Sequence, residues 1–161
     1  MRLLVMSALL VLGACSDGPS EEERQADVAE VEANQQPPAE EFEPDPIRYR
    51  EIEKYDLFGA GCSFAPDGGG LGAVAIAMAD EGYIIRNGDL LRFAADTGSR
   101  ELPYLARNKY TGLEYSFILD LEEEGGEQSG YETTDYRGSL VVRDASDRVV
   151  YEADGLVQCG A

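Results

Sequence analysis

The chain has 161 residues, enough for one modest domain, and carries 32 acidic against 13 basic residues for a formal net charge of −19. This balance excludes nucleic acid as a partner, because phosphate binding needs a lysine- and arginine-rich surface that releases counterions. It fits attraction of cations, cationic peptides or basic proteins, and it fits plain solubility equally well.

Met1 to Cys15 reads MRLLVMSALLVLGAC: one positive charge, an apolar run, and small residues against a cysteine. As a helix, Leu3 to Ala14 would rise about 18 Å, short of the ~30 Å of hydrocarbon that a spanning helix must cross. These are the marks of a cleaved secretory signal, so residues 1–14 are left out of the fold argument. Leu12, Gly13, Ala14 and Cys15 resemble the lipobox of bacterial lipoproteins. The resemblance implies removal of residues 1–14, lipidation of the Cys15 thiol, acylation of its new amino group, and a stable anchor of more than one acyl chain. In enteric lipoproteins an Asp directly after the lipidated Cys favours the inner membrane. Here Ser16 follows and Asp17 comes one later, so the resemblance implies an outer-membrane lipoprotein facing the periplasm. Loss of the signal removes only Arg2, leaving 12 basic and 32 acidic residues and a net charge of −20.

Residues 15–46 are expected to be a disordered acidic linker. From Ser16 to Pro46 there are eleven acidic residues, one basic, five prolines and a single aromatic, too little apolar surface to offset chain entropy. Ser20 followed by Glu23 matches a capping box and predicts a helix start running to about Ala33, one that is marginal in isolation. Like-charge repulsion and Pro extend the segment into a spacer of about 50 to 100 Å.

Residues 47–161 are the expected globular domain, and all nine tyrosines lie in it, from Tyr49 to Tyr151. Ile52 to Leu57 is a candidate helical turn. Ala73 to Ala79 alternates, with Val74, Ile76 and Met78 on one face and alanines on the other. Tyr83 to Arg86 and Leu90 to Ala94 flank Asn87, Gly88 and Asp89, which predicts a hairpin. Leu113 to Leu121 places Leu113, Tyr115, Phe117, Leu119 and Leu121 on one side of a half-buried strand. Glu122 to Gly130 reads as a loop. Ser139 to Arg143 and Arg148 to Ala153 predict a second hairpin around Asp144 to Asp147, and Gly155 to Cys159 a last strand. No long amphipathic helix follows. The expected fold is mainly β: a small antiparallel sheet, barrel or sandwich.

Cys62 and Cys159 lie near the two ends of this domain in an oxidising compartment and are read as one disulfide. Closing a loop of roughly 100 residues contributes up to about 4 to 5 kcal/mol in the chain-entropy model. The chain has no histidine, which excludes Ser-His-Asp and Cys-His catalysis and histidine metal sites within it. A Ser-Lys dyad would have only Lys54 and Lys109 to use. The acidic residues offer many candidate pairs for carboxylate-dependent hydrolysis and single out none. Glu122 to Gly130 and Asp144 to Asp147 lack the ligand register of an EF-hand. Gly68 to Gly70 with Gly72 lacks the Lys-Ser/Thr of a phosphate loop. No catalytic residue, metal ligand or cofactor is assigned.

One segment points further. In KYTGLEY, Lys109 to Tyr115, the residues Thr111, Gly112 and Tyr115 resemble the Ser-Gly-x-x-Tyr motif of periplasmic and membrane-bound inhibitors of c-type lysozyme, with Thr in place of Ser and without that family's second, Thr-Lys-Gly motif. The resemblance implies an acidic, disulfide-containing β-barrel that occupies a cationic enzyme's cleft, with Thr111, Gly112 and Tyr115 as partner-binding residues. The expected function is a membrane-anchored, non-enzymatic envelope lipoprotein with a binding or structural role. Lysozyme inhibition is the alternative, and a carboxylate-dependent hydrolase trails both.

Overall fold

The computed structural model describes residues 18–35, 38–70 and 72–161. The expected signal segment 1–14, its lipobox-like residues and the expected lipidation site Cys15 lie outside the described residues. The chain divides into an N-terminal unit ending at Pro38 and a compact unit, Ala39–Ala161.

In the first unit the acidic linker is helical over α1 (Glu21–Gln35), where the Ser20 and Glu23 capping box predicts a helix to about Ala33. The capping box forms reciprocally: the Glu23 amide donates to Ser20 Oγ at 3.2 Å and the Ser20 amide to Glu23 Oε2 at 2.7 Å. These bonds to Ser20 lower the Glu23 pKa. Val28 and Val31 remain exposed, so local capping and propensity carry this helix rather than burial.

The second unit is mainly β, as expected, and the barrel among the expected forms is the one adopted. Its elements are α2 (Tyr49–Tyr55), β1 (Gly61–Pro66), β2 (Ala75–Met78), β3 (Glu81–Arg86), β4 (Asp89–Ala95), β5 (Lys109–Thr111), β6 (Tyr115–Leu121), β7 (Glu127–Gln128), β8 (Thr134–Asp144) and β9 (Val149–Gly160). Strands β1 to β6 run as an antiparallel meander; β6 then pairs with β8, β8 with β9, and β9 returns to β1. Eight strands thus close on themselves. The two-residue β7 takes the place of β6 beside the first residues of β8, so the acidic stretch read as a loop contains a short strand after a 3₁₀ turn at Glu123–Gly125.

Alternation sends Phe64, Phe93, Tyr110, Phe117, Leu119, Leu140, Val142 and Val157 into the interior, where they are fully buried. Phe117 stacks on Tyr110 at 4.7 Å between ring centroids and meets Phe93 edge-on at 5.0 Å. A barrel of this strand number is just wide enough for side chains to fill it. Strand β2 is covered on both faces: Ala75 and Ala77 point inward against the aromatics, while Ile76 joins Ile47, Leu57, Tyr83 and Ile85 in a second cluster outside, where Ile52 and Tyr55 of α2 and Met78 pack.

Cys62 and Cys159 stand directly opposite each other on β1 and β9 and are joined by a disulfide. The bond crosses the seam where the last strand meets the first. Asn87 and Gly88, at φ 53° and 81°, form the two-residue turn between β3 and β4. The final strand is one continuous twelve-residue element and not the two segments expected. The domain also begins earlier than Ile47: Phe42, assigned to the linker, is 1% exposed and belongs to the core.

Candidate functional site

Because the meander alternates direction, the turns at 87–88, 112–114 and 145–148 share one end of the barrel, here called the hairpin end. Thr111, Gly112 and Tyr115 all lie there, at the turn that joins β5 to β6. The Gly112 amide donates to the Tyr115 carbonyl at 2.8 Å and closes that turn.

The structure brings the three residues together but presents them differently. Thr111 is exposed. Tyr115 is turned inward, its ring edge-on to Phe42 at 4.8 Å, and its hydroxyl accepts a hydrogen bond from Arg86 Nη1 at 2.9 Å. The Arg86 side chain, only 15% exposed, lies over the Phe42 and Tyr115 rings at 5.1 and 5.5 Å. Its other terminal nitrogen pairs with the Glu40 carboxylate at 2.9 Å and the Glu41 carbonyl at 3.0 Å. A strap, residues 40–47, is bridged to Ile85 at Asp45 and to Ala73 at Ile47, and it sets Phe42 as a plug in this end of the barrel.

The side chain that the hairpin does present is Leu113, which sequence alternation assigned to the inner face of the strand. It is 101% exposed, because the strand begins only at Tyr115 and Gly112, Leu113 and Glu114 form the turn. The Thr-Gly pair ahead of it was the available signal. Two open depressions flank Leu113. One, about 360 Å³, is lined by Leu90, Leu91, Phe93, Leu113 and Tyr115; the other, about 330 Å³, by Lys109, Ser116, Ile118, Arg143 and Asp144.

Around the second depression Arg148 pairs with Asp144 at 2.6 Å, Arg143 with Asp147 at 3.8 Å and Lys109 with Asp96 at 3.8 Å. The hydrogen bond from Arg148 is the main reason the Asp144 pKa is lowered. Around the first, Arg92 pairs with Glu81 at 3.4 Å, while the exposed Glu114, which lines both depressions, enters no ion pair among the described residues.

Among the described residues no polar or charged residue is buried. The carboxyl groups displaced from their ordinary range, Glu23, Glu51, Asp67 and Asp144, are all displaced downward; for Asp67 the chief cause is the hydrogen bond from Arg137. General-acid work requires a carboxyl displaced upward, and these are the opposite. No group of three or more Cys, Asp or Glu side chains among the described residues is placed to hold a metal ion. Likewise, no described helix is long and apolar enough to cross a membrane. No family model matches the chain, and neither a curated protein nor a solved structure matches it.

Proposed function

We propose that the chain is a lipid-anchored, non-enzymatic envelope protein of the outer membrane whose barrel binds a basic partner protein through its hairpin end. The observation that carries this is Leu113, a fully exposed apolar side chain on a hydrogen-bonded turn beside the unpaired carboxylate of Glu114. An apolar anchor supplies the desolvated contact, and the chain's net negative charge speeds encounter with a cation. The test is photo-crosslinking from a photoreactive residue at the neighbouring exposed position 111 in the membrane-bound protein. Adducts with a basic envelope protein, abolished in Leu113→Asp, are expected. Adducts that form only from residues at the disulfide-bearing end would overturn the reading.

Inhibition of a cationic c-type lysozyme is a second reading, favoured by the placement of Thr111 and Gly112 at the tip of an acidic, disulfide-closed barrel. With the Tyr115 hydroxyl held by Arg86, contact with the enzyme would fall to Thr111 and Leu113. Titration with lysozyme at low salt decides it. Stoichiometric, salt-sensitive binding weakened by Leu113→Asp supports inhibition, and no binding removes it.

A further inference from the structure

The chain has 13 arginines and lysines, and all but Arg2 are among the described residues. Ten of those twelve form ion pairs with carboxylates. The exceptions are Arg48 and Lys54. In a chain with 32 acidic residues a paired cation is the default, yet both exceptions line one depression of about 300 Å³ between the strap, α2 and the β3–β4 turn. Arg50 lines it too, four residues before Lys54 and so on the same face of α2, where like charges repel.

The two carboxylates of the depression are already engaged. Asp45 Oδ2 accepts from the Gly88 amide at 2.8 Å, Glu51 Oε1 pairs with Arg50 at 2.9 Å, and Glu51 Oε2 accepts from the Arg48 amide at 3.1 Å. Lys54 Nζ donates to the Tyr55 hydroxyl at 2.7 Å, and Tyr55 donates in turn to the Gly88 carbonyl at 3.0 Å, which ties the helix to the turn. Three cations against two carboxylates leave this depression positive in a chain of formal net charge −19. Folding gains nothing from two cations held beside a third without an anion of their own.

We infer that this depression binds a phosphate group, with Arg48 and Arg50 supplying guanidinium donors and Lys54 a point charge. A phosphate presents enough acceptor oxygens to serve three cations at once, which a chloride does not. The group comes from a soluble phosphate or from a lipid headgroup. This goes beyond the binding of a basic partner and does not depend on it, since the residues differ and the charge is opposite.

The test uses the full chain with Cys15→Ser, so that no acyl anchor intervenes, and inorganic phosphate as probe at an ionic strength held constant with chloride. The amide resonances of Gly88 and of α2 should shift saturably, and the melting temperature should rise with phosphate. Arg48→Gln and Lys54→Gln should each weaken binding about tenfold or more. Neither breaks an ion pair, so both should melt close to the parent when phosphate is absent. Arg48→Lys should keep more of the affinity than Arg48→Gln, and Lys109→Gln, which removes a cation paired elsewhere, should leave binding unchanged. Flotation with phosphatidylglycerol vesicles assigns the source: capture that is lost in the Arg48→Gln, Lys54→Gln double variant gives the site to a headgroup, and phosphate binding without capture gives it to a soluble phosphate. Absence of both shifts and capture, shifts that chloride alone reproduces, or binding that survives the double substitution would overturn the inference.

Discussion

Tyr110 shows how much one residue holds at the centre of the barrel. Its hydroxyl donates to the Met78 carbonyl at 2.6 Å and accepts from the Arg107 amide at 2.7 Å, while its ring is fully buried on Phe117. Replacing it with Phe keeps the ring and strands both main-chain partners, which is expected to cost about 1 to 3 kcal/mol as read from the urea midpoint. The same burial raises the Tyr110 hydroxyl pKa. A group whose folded pKa lies above its unfolded value, near 10 for tyrosine, stabilises fully below that pH and loses the contribution as pH rises through the folded value. Tyr110→Phe should therefore also lessen the alkaline decline in stability. Phe42 plugs the hairpin end, and Phe42→Ala is expected to cost about 3 to 5 kcal/mol by guanidinium unfolding. A midpoint like that of the parent would mean the strap lies off the barrel.

Among the elements, the seam between β1 and β9 is the one held covalently. Cys62 and Cys159 are both buried, so reductant should reach them only after the seam opens. The double Cys62→Ser, Cys159→Ser variant is expected to lose about 2 to 5 kcal/mol, measured as a lower melting temperature that added reductant does not lower further. This pairing was legible in the sequence, as were the Asn87-Gly88 hairpin and the inward face of β6, because turn chemistry and period-two alternation are local signals. What escaped was set by tertiary geometry. The expected break at Asp154, just before Gly155, is absent: both lie inside β9, where Gly155 stands opposite Gly138 and a Cβ on it would strike the Ala65 carbonyl of β1. It is a close approach of two backbones, not a turn. Phe42 escaped because a lone aromatic in an acidic, proline-containing stretch has no periodicity to report its burial.

At the scale of the whole molecule, carboxylates dominate the response to pH. Hydrogen bonds lower the pKa values of Asp67 and Asp144 through Arg137 and Arg148. A depressed folded pKa stabilises above the unfolded value, near 4, and that contribution is lost as pH falls through the folded one. Melting temperature should therefore drop below about pH 4, less steeply in Asp67→Asn and Asp144→Asn. The larger question is where the molecule resides. Each buried methylene contributes about 0.8 kcal/mol and two acyl chains suffice for stable anchoring, so a Cys15 that carries them holds the chain at the membrane. Cys15 is outside the disulfide, which joins Cys62 to Cys159. Cys15→Ser should hence separate anchoring from folding: the parent should partition into the detergent phase and the variant into the aqueous phase, with the same barrel melting temperature. Equal partitioning of the two would remove the anchor, and with it the placement of this barrel at a membrane.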